Sequence, residues 1–182
     1  MILTGPAIIE AVGQGEITIT PFDRSLVNPN SYNYRLAGTL KVPTTAVTDP
    51  RLDTPCRKVE IPEEGFVLQP GTVYLGSTAE EIGSRHFVPS LIGRSSLGRL
   101  GLFLQISADL GQLGACHSWT LEIVAVQPLR VYAGMRIGQV SFWAPEGHRQ
   151  PYQGYYGRIS EAVPCHPRAA AGNPTRVLEA AA

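Results

Sequence analysis

Residues 93–143 read GRSSLGRLGLFLQISADLGQLGACHSWTLEIVAVQPLRVYAGMRIGQVSFW, and this stretch decides the fold. Its apolar runs lie at 102–107, 119–126, 129–132 and 137–143, with glycine or proline in nearly every gap. Runs of this length and spacing predict short β-strands joined by turns. The same stretch holds nearly all the polar residues that can form a site in an otherwise apolar region.

The pattern continues towards the N-terminus. Further short runs occur at 16–22, 32–36, 66–68, 73–77 and 91–93. Many short strands without alternating helices predict an all-β fold with minor helices, either a jelly roll, a sandwich or a distorted β-barrel. A capping residue and an early proline predict one helix over 4–12. Residues 43–65 lack periodicity and predict a surface excursion with one edge strand near 58–61.

Length and charge limit the organisation and the partners. With 182 residues, 43% of them hydrophobic, the chain suits one domain, which we place at 1–167, followed by an Ala-rich tail at 168–182. Fifteen basic and fifteen acidic residues cancel, so no overall field favours a nucleic acid polymer or a membrane surface. No run of about 18 apolar residues predicts a membrane span.

Cysteine and histidine spacing bears on compartment and metal binding. Cys56, Cys116 and Cys165 are far apart and form no C-x-x-C pair, which argues against a disulfide framework and a zinc cage. Because residues 1–12 also lack a signal-peptide pattern, we expect a reducing cytoplasm. The four histidines show no H-x-E or H-x-x-x-H spacing, so no metal-deaminase or zincin signature is present.

Two motifs carry the chemistry. The segment GRSSLGRLG at 93–101 combines arginines, hydroxyls and glycines, which suits phosphate oxygens but equally a solvated surface turn. On a strand, Glu122 shares its face with Thr120 and Val124, so desolvation favours a neutral carboxyl that can exchange protons near pH 7. A structural glutamate paired with a buried arginine is the alternative. His117 lies near the predicted site and is a candidate contact, although a lone loop histidine is more often incidental.

The motifs together resemble a known family. GRSSLGRLGL at 93–102, Ser-Ala at 107–108, Leu-Glu at 121–122 and AGMRIGQVSF at 133–142 resemble the dCTP deaminase branch of the dUTPase superfamily. With the N-terminal helix and NSYNYRL at 30–36, the resemblance covers about residues 1–160. It implies a dUTPase-like distorted β-barrel, a homotrimer with sites at subunit interfaces, and a C-terminal segment that closes over the nucleotide.

The resemblance also implies a reaction. It is the metal-free hydrolytic deamination of a cytosine nucleotide, by default dCTP to dUTP plus ammonia. Glu122 is then the proton shuttle, Ser95 and the Ala108 carbonyl position the attacking water, and Arg99 supports the site electrostatically.

Phosphate binding follows from the same resemblance. Arg94 and Ser96 would contact the phosphates. No cofactor is needed for the chemistry, and Mg²⁺ is bound through the triphosphate rather than by the protein.

The chain departs from the family between Ala108 and Glu122. Gln112 replaces a sugar-contacting aspartate, and because a neutral amide cannot act as a base, we expect no dUTP diphosphatase activity. Ala115 replaces an aromatic residue near the sugar, which leaves room for a ribose 2′-hydroxyl or a modified sugar.

The C-terminal segment is altered too. Pro151 and Tyr152 match the family, but the lysine that follows is missing, and Arg158 is the candidate for its charge. A monophosphate or diphosphate substrate therefore stays open. Two alternatives to a dCTP deaminase also remain, namely a deaminase of a ribo- or modified cytosine nucleotide in a specialised pathway, and a non-catalytic nucleotide-binding or regulatory homologue. A structural β-domain is a third.

Overall fold

A computed structural model of the protein describes residues 1–104 and 108–167. The helices are α1 (Gly5–Gly13) and α2 (Ser95–Gly98), with 3₁₀ turns at Arg24–Leu26 and Tyr155–Arg158. The strands are β1 (Ile17–Thr20), β2 (Val27–Asn28), β3 (Ser31–Arg35), β4 (Thr39–Pro43), β5 (Cys56–Glu60), β6 (Phe66–Leu68), β7 (Val73–Ser77), β8 (Glu81–Ser84), β9 (Val88–Gly93), β10 (Leu102–Leu104), β11 (Cys116–His117), β12 (Thr120–Ala125), β13 (Leu129–Val131) and β14 (Arg136–Trp143).

The described strands form four sheets. Their orders are β10-β12-β7-β4-β5, β2-β3-β14-β9, β1-β8-β11 and β13-β6, and every pairing is antiparallel. None of the sheets closes on itself through the described strands. The all-β prediction is confirmed, and the predicted distorted barrel is a set of open sheets around a shared core.

Strand β12 shows how the sequence positions a polar group. Leu121, Ile123 and Ala125 are buried in the core, whereas Thr120 and Glu122 are half-buried on the opposite face. This is the alternation that the sequence predicts, because successive side chains of a strand point to opposite faces. The core side of β12 therefore fixes which way Glu122 faces.

Some elements differ from the sequence prediction. Strands β4 and β8 lie where no strand is predicted, and β8 carries the small, weakly patterned sequence Glu-Ile-Gly-Ser. Thr4 precedes α1 as expected but makes no capping hydrogen bond with its side chain. Strand β10 ends at Leu104, and the rest of the run to 107 lies outside the described residues, as does the predicted tail from 168.

One buried ion pair connects three sheets. Arg35 ends β3, and Glu80 lies between β7 and β8. The Glu80 carboxylate has no exposed surface; one oxygen accepts from Arg35 Nε at 2.6 Å and the other from the Arg35 backbone N–H at 2.9 Å. Thr78 donates its hydroxyl to the Glu80 carbonyl at 2.7 Å. Glu80 thus fills the role of a structural glutamate paired with arginine.

Replacing Arg35 tests this junction. Arg35→Met leaves the buried Glu80 carboxylate without its cation, and we expect the free energy of unfolding to fall by about 3 kcal/mol. Lys58→Met is the matched control, since Lys58 and Glu60 are both exposed and lie 3.9 Å apart. It should cost less than about 1 kcal/mol. Urea unfolding at pH 7 measures both, and equal losses would contradict the junction role.

Candidate active site

A cavity of about 570 Å³ lies against the outer face of β12 and β7. Its lining is mainly apolar and aromatic, with a few polar side chains. The lining residues are Leu75, Ala108, Leu110, Gln112, Ala115, His117, Trp119, Thr120, Glu122, Tyr152, Tyr156, Ile159, Val163, Pro164 and Cys165. Concave, largely apolar cavities of this size with a few polar groups are typical small-molecule sites.

Glu122 lies on the β12 wall of this cavity. It is opposite Leu75 in the register of β12 and β7, and Leu75 also lines the cavity. Burial raises the pKa of the Glu122 carboxyl above its ordinary value. Desolvation disfavours the charged form, so this carboxyl takes up a proton more readily than an exposed glutamate does.

A glycine-framed turn presents Gln112 and Ala115 to the cavity. At Gly111 an added Cβ would meet Pro89 Cγ at 2.7 Å and the Trp119 ring at 2.8 Å. Gly114 has a φ of +85°, a conformation that glycine adopts without strain. The Ala115 N–H donates to the Gln112 carbonyl at 3.1 Å and closes the turn. Ala115 is buried, whereas Gln112 is exposed at the rim.

The wall beyond Ala115 is aromatic. Ala115, His117 and Trp119 occupy alternate positions, and all three line the cavity. The rings of His117 and Trp119 lie 4.3 Å apart between centroids at an angle of 31°. Trp119 Nε1 donates to the Ile82 carbonyl at 2.8 Å, which fixes the indole. The space next to Ala115 is thus bordered by two rings in tilted contact.

The C-terminal segment, residues 151–167, lies over the cavity. The Tyr152 N–H donates to the Leu113 carbonyl at 2.7 Å, and the Val163 N–H to Thr120 Oγ1 at 3.2 Å. Glu161 pairs with Lys41 at 3.3 Å. The segment thus packs on the cavity of its own chain.

The residues of the GRSSLGRLG motif lie elsewhere. Ser95, Ser96 and Arg99 are exposed on or next to α2, and Arg94 is half-buried just before it. None of them is among the residues that line the cavity. One chain therefore brings Glu122 and Ala108 together, but it does not bring them together with α2.

The charge of the cavity is one-sided. Among its described lining residues, Glu122 is the only acidic side chain, and no lysine or arginine is present. The described part of the chain also contains no group of three His, Cys, Asp or Glu side chains placed to hold a metal ion. A polyphosphate placed here needs cations from outside this wall.

Five residues that the sequence predicts for one site lie together in the structure. Glu122, Ala108, Gln112, Ala115 and Tyr152 all line the cavity, as expected for one site. The backbone of Arg158 ends the second 3₁₀ turn, and its side chain is not among those described.

His117, which the sequence leaves open as a contact, and Trp119, which it does not single out, also line the cavity. The sequence signal for them is their spacing, because Ala115, His117 and Trp119 occupy every second position and so share one face of an extended chain.

Comparison with known proteins identifies relatives over most of the chain. The family model described as "dCTP deaminase-like" matches residues 2–144. A Leptospira biflexa protein named "dCTP deaminase, dUMP-forming" is 46% identical over 153 residues, covering 84% of this chain and 87% of the relative. A Hathewaya histolytica protein of the same name is 44% identical over 152 residues, covering 84% and 88%. A Rhodopirellula baltica "dCTP deaminase" is 45% identical over 158 residues, covering 84% and 79%.

A solved structure shares the fold. The 2′-deoxycytidine 5′-triphosphate deaminase from Agrobacterium tumefaciens superposes with a TM-score of 0.64 at 24% identity, over 79% of this chain. The match spans 48% of that chain, so the protein corresponds to about half of its length. At this identity the likeness concerns the fold alone, and it agrees with the predicted dUTPase-like architecture.

The raised pKa of Glu122 makes a prediction about stability. A carboxyl whose pKa is higher in the folded than in the unfolded protein binds more protons in the folded state. Its contribution therefore lowers the free energy of unfolding as pH rises from the unfolded pKa to the folded pKa. Glu122→Gln should therefore be more stable than the unchanged protein at pH 7, with the difference vanishing as pH approaches 4. Urea unfolding at both values measures this.

Glu63→Gln is the control, since Glu63 is an exposed carboxyl. Its substitution should leave stability the same at either pH. If Glu122→Gln has no advantage at pH 7 over this control, the pKa of Glu122 is not raised in the folded protein.

Proposed function

The chain belongs to the dCTP deaminase-like family, and from this premise we propose that it is an enzyme that hydrolyses dCTP to dUTP and ammonia. The observation that carries the proposal is a single carboxyl, Glu122, desolvated on the wall of a nucleotide-sized, mainly apolar cavity. Such a carboxyl is suited to exchange protons near neutral pH. The relatives' names supply the substrate class.

The reaction needs proton transfers that Glu122 can make. The carboxylate takes a proton from water, and the resulting hydroxide attacks C4 of cytosine. Glu122 gives this proton to N3, then takes the proton of the new C4 hydroxyl group and passes it to the amino group. The C4–N bond breaks, ammonia leaves and a C4 carbonyl remains, so one water is consumed for each ammonia released. The Ala108 carbonyl and the Ser95 hydroxyl hold the water in this scheme. No metal takes part, and Mg²⁺ accompanies the substrate's phosphates.

A second copy of the chain completes the site. The described lining of the cavity contains no arginine or lysine, and Arg94, Ser95, Ser96 and Arg99 lie away from it in the same chain. The face of β12 that carries Glu122 continues into Val124, whose register partners Val73 and Phe103 are 46% and 41% exposed. We propose that a homotrimer covers this apolar row and brings the α2 segment of one subunit to the cavity of the next.

The names of the relatives and the residue at position 112 point to different products. The Leptospira and Hathewaya proteins are named dUMP-forming, which favours loss of diphosphate after deamination. Gln112 lies at the rim of the cavity, and its amide cannot take a proton from water. We therefore assign dUTP as the product. Formation of dUMP would require a base other than Gln112.

Substrate range depends on Ala115. Its small side chain on the buried wall leaves space beside the sugar, which favours CTP or a modified cytosine nucleotide as the second candidate substrate.

For the compartment, Cys56, Cys116 and Cys165 are all free thiols, as a reducing environment allows, and we propose the cytoplasm. No helix in the described residues is long and apolar enough to cross a membrane.

Ammonia release across dCTP, CTP, dCDP and dCMP tests the activity. We expect release with dCTP, and Glu122→Ala should lower the rate by about 10²- to 10⁴-fold because the proton shuttle is lost. Chromatography of the products distinguishes dUTP from dUMP. No ammonia from any nucleotide would leave the non-catalytic binding protein as the correct description.

Mixing two inactive variants tests the shared site. Glu122→Ala and Arg99→Ala should each be inactive alone, and subunit exchange should restore about one quarter of the activity, since half of the cavities keep Glu122 and half of those face an intact Arg99. Light scattering should report a trimer for each variant. Failure to recover activity after verified exchange would mean that both residues act within one subunit, or that Arg99 plays no part.

A further inference from the structure

His117 combines burial with access to the cavity. Only 6% of its surface is exposed, yet it lines the cavity two positions from Ala115. It lies opposite Ile82 in the pairing of β11 with β8, and its ring packs at a tilt against the ring of Trp119. The ring is thus held by a strand on one side and by an indole on the other, which is the rigid support that a binding group requires.

The hydrogen bond of His117 assigns its two nitrogens. Nδ1 lies 2.9 Å from the Ser118 carbonyl oxygen. A carbonyl only accepts, so Nδ1 carries the hydrogen, and in the neutral ring Nε2 bears the lone pair.

Nε2 has no hydrogen-bond partner among the described residues. No described side-chain nitrogen or oxygen is both sealed from solvent and unpaired, so Nε2 must reach solvent. His117 lines the cavity, so the cavity is the described space into which Nε2 can open.

The neighbouring polar groups are already engaged. Thr120 Oγ1 accepts from the Val163 N–H, the Tyr156 hydroxyl accepts from the His166 N–H, and Trp119 Nε1 donates to Ile82. His117 Nε2 is therefore an acceptor on this wall that is open to a ligand. It requires a donor, and a hydroxyl group meets that requirement whereas a phosphate oxygen does not.

The position of His117 indicates which part of the nucleotide it meets. In the proposed function, the amino group at C4 lies next to Glu122. His117 precedes Glu122 by five residues, a separation of at most about 17 Å along the backbone, with Trp119 between them on the wall. The part of a cytosine nucleotide that extends away from C4 and carries hydroxyl donors is the sugar.

We propose that His117 is a specificity-determining residue whose Nε2 accepts a hydrogen bond from a hydroxyl of the substrate's sugar. The proposal rests on the proposed function for the orientation of the nucleotide. It identifies the ligand group as a 3′-hydroxyl, which dCTP and CTP share, or a 2′-hydroxyl, which only CTP carries.

Calorimetric binding to a turnover-free Glu122→Gln background tests the inference with dCTP, CTP and 2′,3′-dideoxycytidine triphosphate. With His117 present, the nucleotide bearing the contacted hydroxyl should bind about 3- to 10-fold more tightly than the one lacking it. Preference for dCTP over the dideoxy compound identifies the 3′-hydroxyl, and preference for CTP over dCTP identifies the 2′-hydroxyl.

Two substitutions separate this role from packing. His117→Phe keeps a ring against Trp119 but removes the acceptor, and it should abolish the preference. His117→Gln places an amide oxygen near the Nε2 position and should restore part of it. His148→Phe, at an exposed histidine outside the cavity, is the control and should change nothing.

Equal binding of all three nucleotides in the presence of His117 would overturn the inference. The inference would also be overturned if His117→Phe weakened the binding of all three nucleotides equally, which would indicate a packing role. Ammonia release by the protein with Glu122 intact is measured separately. A protein that shows the preference but releases no ammonia would refute the proposed deamination and leave the contact at His117 established.

Discussion

The Arg35–Glu80 pair is the point at which the sheets are held together. Glu80 lies in the short connection from the five-stranded sheet to the three-stranded sheet, and Arg35 belongs to the four-stranded sheet. A carboxylate without exposed surface is tolerated only when its charge and its lone pairs are satisfied, and Arg35 does both through its side chain and its backbone. The pair joins the connection between β7 and β8 to β3, and β8 in turn pairs with β11, which carries His117.

A second carboxyl has the opposite environment. Glu122 is half-buried among apolar side chains, and its pKa is raised by burial. The two glutamates show that the surroundings decide the role. The Arg35 guanidinium pairs with Glu80 and ties it into the structure, whereas desolvation raises the pKa of Glu122.

The sequence predicted what depends on local alternation. The strands near β7, β12 and β14 and the orientation of Glu122 could be read from it, because a strand that contributes to a core repeats apolar residues every second position. Strand β8 could not, since Glu-Ile-Gly-Ser has no such pattern and is held by its neighbours on both sides. The aromatic wall at His117 and Trp119 was missed for a related reason. Its role appears only when the cavity that it borders is known.

The C-terminal segment over the cavity, residues 151–167, affects how fast a ligand can enter and leave. It is attached by backbone hydrogen bonds at Tyr152 and Val163, and Ile159 and Val163 face the cavity. Lifting it exposes apolar side chains to water, so the covered arrangement is favoured even without a ligand. Entry and departure of a nucleotide past this segment are then kinetic steps separate from chemistry, and turnover can be governed by the opening of the protein rather than by bond breaking at C4.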